Sequence, residues 1–353
     1  MKKVRLLLFA SLFAFVSLGL NAQDIHFSQF NLSPLNLNPA MTGVMNSEIR
    51  LTANYRNQWS SVLKDNSFNT YSVSYDQRIP VGRNDYAGIG GTFWGDQAGS
   101  ADFQTVTGKI SASYAKKMGG SRGTSHYLVL GGEIGLAQRS LDFLKLRWGS
   151  QHDNKGGFNP NLSSGETNLT NDNFLFADVA AGLLWFSVLD ENNNFFIGAA
   201  FNHLNRANQS FFDGEQDFVF SRFTIHGGGE FELTDKVSLV PGFIGMKQGP
   251  SFLLNAGANL KFRLGNGRSH GDDFQAFHLG TWVRVANNVG SGIITDAFIL
   301  QTRFDFNQFT LGFAYDINVS ALKPASNNNG AFEFAMQYRF GDSKRKGVYC
   351  PHF

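Results

Sequence analysis

Two histidines and a set of carboxylates are the residues whose types could do chemistry. His203 and His226 flank a stretch that carries Asp213, Glu215 and Asp217. Imidazole and carboxylate together bind zinc or move protons in a hydrolase. The spacing speaks against both uses. No HExxH motif is present, and no two histidines stand close together at a metal-binding interval. Gly88-Ile89-Gly90-Gly91 has the look of a phosphate loop but neither the GxGxxG nor the GxxxxGK spacing. It lies inside a strand pattern, where glycine marks a bend or a close backbone approach. Asn31-Leu32-Ser33, Asn208-Gln209-Ser210 and Asn318-Val319-Ser320 match the glycosylation sequon by chance. Cys350 is the only cysteine, so no internal disulfide and no cysteine metal site exists. The reading is a protein without catalytic, cofactor-binding or metal-binding residues. The histidines are then solvated or hydrogen-bonded groups on a polar face.

The elements that would position these groups are strands. Phe309, Leu311, Phe313 and Tyr315 alternate with Thr310, Gly312, Ala314 and Asp316, and after a polar loop Phe332, Phe334, Met336, Tyr338 and Phe340 alternate with Ala331, Glu333, Ala335, Gln337 and Arg339. Successive side chains of a strand point to opposite faces, so each arm has a greasy face and a polar one. Full charges on the polar face suit a water-filled or polar lumen better than a sandwich core. Similar signals recur from Ile49 onward, for example over Tyr86–Ala98, Asn194–Leu204, Phe220–Glu232 and Asp273–Arg284. The fold class expected is all-β, a transmembrane antiparallel β-barrel of about fourteen strands. A proline at position 241, mid-strand, is tolerated in a closed ladder only at a bulge or strand start. Composition agrees: 39 Gly and 36 Phe in 353 residues with 16% charged residues fit membrane strands better than a water-facing surface.

The chain divides into four parts. Residues 1–22 read as a signal peptide, with Lys2, Lys3 and Arg5 before an apolar run and a cut between Ala22 and Gln23. The rival reading is an uncleaved anchor, for which the run is short. Without the signal, 27 cations face 28 anions, which gives no argument for nucleic acid. No later stretch is long and apolar enough for a membrane helix. Residues 23–47 form a plug-like segment at or in the barrel mouth, with a helix start at Ser33-Pro34 and a break at Asn38-Pro39. Residues 48–341 are the barrel, and 342–353 a basic periplasmic tail.

Connection lengths alternate. With both termini periplasmic, the short turns 190–193, 233–236 and 305–308 fall inside, and the long connections Leu141–Asn173, Asn205–Val219 and Ile317–Asn329 fall outside. Gln248-Gly249-Pro250 and 264–272 break this parity. Charges of both signs occupy the polar faces, among them Arg50, Arg56, Asp76, Arg78, Lys109, Glu133, Asp178, Arg222, Glu230, Lys261 and Glu333. They either line an open pore or cross-link a filled interior. The outer loops hold Trp148, Phe158, Phe211, Phe212, Leu322, Lys323 and Pro324, which either bind a partner or pack on one another.

At this point the residues resemble a known family. QDIHFSQFNLSPLNLNPAMTG from Gln23, RLTANYRNQWSSV from Arg50, the hairpin Tyr315–Phe340 and the ending Cys350-Pro351-His352-Phe353 are similar to the PorP/SprF family of type IX secretion membrane proteins. The usual ending has Arg where His352 stands. The resemblance implies a non-catalytic barrel of the cell outer membrane, without cofactor. Such a barrel assists secretion or holds secreted proteins, such as adhesins used in gliding motility, on the cell surface. Its implied partners are a secreted protein with a C-terminal sorting domain, periplasmic parts of the secretion machinery and the lipid bilayer. The alternatives are a substrate-specific porin and an outer-membrane barrel enzyme.

Overall fold

Alternating patterns at this density close on themselves. A computed structural model describes residues 24–120, 124–152, 157–165, 172–190, 192–212, 214–264, 274–287, 292–321 and 323–342. Ala22, Gln23, Asp213, Leu322 and Cys350 lie outside the described residues. The strands are β1 Ser47–Gln58, β2 Phe68–Val81, β3 Asp85–Ala98, β4 Phe103–Gly119, β5 Ser125–Ser140, β6 Asn173–Val188 and β7 Asn194–Asn202. They continue as β8 Arg222–Thr234, β9 Val237–Gln248, β10 Ser251–Arg263, β11 Gln275–Asn287, β12 Ile293–Phe306, β13 Phe309–Asn318 and β14 Asn329–Asp342. All neighbours are antiparallel, and β14 closes on β1 from Ser47 opposite Asp342 to Gln58 opposite Ala331. Closure leaves no edge strand and satisfies the backbone inside a bilayer.

The pleat sorts the side chains as the alternation requires. Ile110 and Leu130 point outward and are 68% and 62% exposed, a surface suited to lipid. Arg50, Asp76, Asp316 and Glu333 point inward and are buried. Several strand borders differ from the sequence reading by a few residues. β7 stops at Asn202 because His203 adopts a left-handed backbone, φ 56°, which turns the chain out of the ladder. β8 begins at Arg222, two residues later than expected. β11 runs on to Asn287 because a register shift after Arg284 absorbs the irregularity. Pro241 sits in mid-strand after all. The β8–β9 ladder pairs Gly228 with Gly242 and next Phe231 with Leu239, so pairing lapses where the proline has no N–H to give.

The barrel has two dissimilar mouths. Residues 59–67, 99–102, 141–172, 203–221, 249–250, 288–292 and 319–328 connect strands at one, the loop mouth. Residues 82–84, 120–124, 189–193, 235–236, 264–274 and 307–308 do so at the other, the turn mouth.

Residues 24–46 lie inside. They form short helical turns at Phe30–Leu32, Pro34–Leu37 and Pro39–Met41. Pro34 opens its turn as expected, but Ser33 does not cap it. The Ser33 hydroxyl instead accepts a hydrogen bond from the Asn36 amide. Asn38 caps the following turn by accepting from the Ala40 N–H at 2.9 Å. The segment extends well past one mouth. Asp24 meets His203, Arg222 and Gln248 at the loop mouth, and the Met45 carbonyl accepts from Arg78 near the turn mouth. Ser47 and Asp342 are at the turn mouth as well. The expectation that both termini are periplasmic concerns residues 1–23 and 343–353, which lie outside the described residues. The described residues begin at the loop mouth with Asp24 and end at the turn mouth with Asp342, because residues 24–46 run once through the lumen before β1 turns back.

Candidate functional site

The lumen is organised around the segment's polar backbone and a few of its side chains. At the loop mouth Glu333 accepts the N–H groups of Ser28 and Gln29 at 2.6 and 3.0 Å. The Ser28 hydroxyl reaches Asp316 at 2.8 Å, and its carbonyl accepts from Gln301 at 2.9 Å. Arg56 pairs with both Glu333 and Asp316, and Arg284 pairs with Asp316 at 2.6 Å. An isolated charge in such an interior is expensive, whereas a paired and hydrogen-bonded one persists. The sequence placed Arg56 and Glu333 on the polar faces. It did not mark Arg284, which follows the expected pattern only up to the register shift, nor Asp24, which belongs to no strand.

Asp24 begins a second chain of contacts. Its carboxylate meets His203 Nε2 at 2.5 Å and Arg222 at 3.2 Å. His203 Nδ1 meets Asp178 at 2.7 Å, Asp178 meets Lys109 at 2.8 Å, and Lys109 meets Glu133 at 2.8 Å. Burial disfavours the charged ring of His203, but the Asp24 carboxylate and the hydrogen bond to Asp178 outweigh it and raise its pKa to about 9. Burial likewise pushes the Asp24 carboxyl upward, yet His203 and Arg222 hold it well below the usual carboxylate range.

Deeper in the barrel, Asn38 donates to the carbonyls of Leu183 and Ala199 and lies 3.0 Å from His226 Nε2. His203 and His226 thus hold the segment at two different places and do not form one site. Glu215 and Asp217 are exposed on the loop between β7 and β8. Among the described residues, no three His, Cys, Asp or Glu side chains are grouped to hold a metal ion. Toward the turn mouth Asp76 accepts from the Gly43 N–H at 2.7 Å and pairs with Arg50, whose guanidinium also reaches the Met41 carbonyl. Gly88 and Gly90, the false phosphate loop, are close approaches of the wall to Thr42 and Leu35. Further lumen charges pair along the wall, Glu230 with Lys261, Glu232 with Arg263 and Arg303 with Asp305, while Arg339 donates to the Thr310 hydroxyl at 2.9 Å.

Residues 24–46 pack against the wall, and the cavities beside Phe27 and Phe30 and beside Leu32 and His278 are each about 30 Å³, room for a water or two. The larger space is at the loop mouth. There a cavity of about 880 Å³ is lined by Arg147, Trp148, Phe158 and Pro160, among others. Trp148 and Phe158 are brought together, and Arg147 stacks over the Phe158 ring at 4.9 Å. Phe211 is elsewhere, packed against Phe174, Phe143 and Phe103 with centroids 4.9, 6.2 and 6.3 Å away. Phe212 is half-buried beside it. Lys323 and Pro324 open an exposed helical turn, Lys323–Ser326, on a third connection.

A closed antiparallel barrel with an apolar outer wall and a charged lumen defines the chain as an outer-membrane β-barrel protein. It belongs to the PorP/SprF family: the family described as type IX secretion system membrane protein PorP/SprF matches residues 19–338. No curated protein matches the sequence. Similar solved structures include CdiB from Escherichia coli, at 8% identity and TM-score 0.45, covering 82% of this chain and 63% of that one. CdiB from Acinetobacter baumannii is similar at 10% identity and TM-score 0.42, over 83% of this chain and 60% of that one. The chain thus spans about three fifths of the length of these two proteins. The toluene transporter TbuX of Ralstonia pickettii is similar at 11% identity and TM-score 0.44, over 88% of this chain and 94% of that one.

Proposed function

We propose that this barrel is a non-catalytic component of type IX secretion that assists the export of a secreted protein or holds it at the cell surface. The protein held carries a C-terminal sorting domain and is adhesin-like. The long connections face outward, and the turn mouth faces the periplasmic machinery. One observation carries this reading: most lumen charges are paired and the lumen is packed around residues 24–46, so the surface left for a large partner is the loop mouth. Trp148, Phe158 and Pro160 line its cavity, and Lys323 and Pro324 stand exposed on another loop-mouth connection. Phe211 supports the loops from within and contributes by positioning them. Membership of the family supports the secretion context.

The test is affinity purification of the tagged barrel from outer membranes, followed by mass spectrometry. Recovery of a large secreted protein is expected, together with its loss on combining Trp148→Ala with Phe158→Ala. A barrel that purifies without a companion, from cells that secrete type IX substrates, sinks the reading.

A further inference from the structure

We infer that residues 24–46 form a through-going plug inserted from the loop mouth, so that the chain enters its own barrel from the cell-surface side. The assignment of that mouth to the cell surface rests on the reading above; the direction of threading does not. Contacts run in order from one mouth to the other. Asp24 meets the last residue of β9, the first of β8 and the residue after β7. Ser28, four residues on, meets β13 and β14. Leu32 accepts from Asn54 in mid β1 at 3.0 Å. Asn38 reaches mid β6 and β7, Thr42 accepts from Ser113 of β4 at 2.6 Å, and Met45 accepts from Arg78 at the turn end of β2.

The geometry has two consequences. First, an apolar leader left uncut in the inner membrane would hold Asp24 on the periplasmic side. With the loop mouth at the cell surface, this position of Asp24 requires a cleaved leader and a free end that the strands enclose as the barrel closes. Second, the end that a partner can reach is the start of the segment. A protein bound at the loop mouth meets Asp24 and the residues after it, and a pull from that side releases the Asp24 contacts first, then those of Ser28, then those of Asn38. The cell-surface face thus includes the plug's leading end as well as the loops. A surface-bound protein of the class proposed above can in this way act on the seal directly.

Cysteine accessibility tests this in a Cys350→Ser background of the full chain. A Gly-Ser-Cys-Gly-Ser insertion between Gln23 and Asp24 is compared with Ser100→Cys, which marks the loop mouth, and Lys236→Cys, which marks the turn mouth. Intact cells are treated with a membrane-impermeant maleimide, before and after the outer membrane is permeabilised. The inserted cysteine is expected to label with Ser100→Cys and without permeabilisation, while Lys236→Cys labels only after it. If the inserted cysteine instead follows Lys236→Cys, the inference is overturned. If Ser100→Cys and the insertion both need permeabilisation, the threading stands and the orientation reading fails. Should the insertion prevent folding, seen as loss of heat-modifiable migration, an Asp24→Cys, Gln248→Cys pair replaces it. A crosslink between these two in the folded protein supports the threading, and its absence under oxidation overturns it.

Discussion

A Cβ on Gly131 would stand 2.4 Å from the amide nitrogen of Ala40, and one on Gly88 would stand 2.2 Å from the carbonyl oxygen of Thr42. In both cases the obstructing atom is backbone, which cannot swing aside. The wall is therefore cut to the plug. Gly131→Val is expected to destabilise the barrel by roughly 1–3 kcal/mol through overpacking. Gly132→Val is the control, since its Cβ has nothing nearer than 3.8 Å. Urea unfolding in detergent micelles measures both, and equal midpoints would refute the fitted wall. His203 offers a second test at this scale. Its pKa is raised in the fold to about 9, so it contributes stability that is full below its ordinary value of 6.5 and is lost as pH rises through 9. The wild-type protein is expected to be more heat-stable than His203→Gln at pH 6, with the difference shrinking by pH 10. A difference constant with pH would remove His203⁺ from the account of how Asp24 is held.

The strands were legible because a period of two leaves a mark in the chain itself. Phe309 to Tyr315 and Phe332 to Phe340 sort by face whatever the distant context, and so the charges Arg56, Glu333 and Lys109 could be assigned to the lumen before any contact was known. What escaped has physical causes. The end of β7 depends on one left-handed residue, His203, and no sequence rule requires φ > 0 of histidine. Pro241 keeps its place because its ladder with β10 continues, Ala258 opposite Pro241, while only the β8 side lapses. The path of the plug depends on contacts such as Asn38 with His226, 188 residues apart, which no local pattern encodes. The loops were read as equal candidates for partner binding, and the structure distinguishes them. Phe211 ties its own connection to residues 141–172 through Phe143 and to the loop-mouth ends of β4 and β6 through Phe103 and Phe174. Phe211→Ala is expected to make the loops susceptible to added protease without lowering the barrel's unfolding temperature. Trp148→Ala is expected to leave protease resistance unchanged. Loss of resistance in Trp148→Ala and not in Phe211→Ala would reverse these two roles.

Barrel size makes the plug necessary to a closed lumen. Eight strands enclose an interior that side chains alone can fill, whereas barrels of 16–18 strands leave an aqueous channel. Fourteen strands lie between these, and here the inward side chains are joined by a segment of chain that leaves cavities near 30 Å³. Many of the pairs lining the wall do not need the segment: Arg50 with Asp76, Arg56 with Asp316 and Lys261 with Glu230 are contacts of strand with strand. A barrel lacking Asp24–Met45 should therefore still close, now around water and charged side chains. In planar bilayers the wild-type protein is expected to show no steady conductance, and the deletion a stable one that falls when a soluble peptide of residues 24–46 is added from the loop side. A wild-type channel as large as that of the deletion would show that the segment does not seal the barrel. The porin reading would then displace the anchoring one, since a conduit, and not a loop surface, would be the feature the fold maintains.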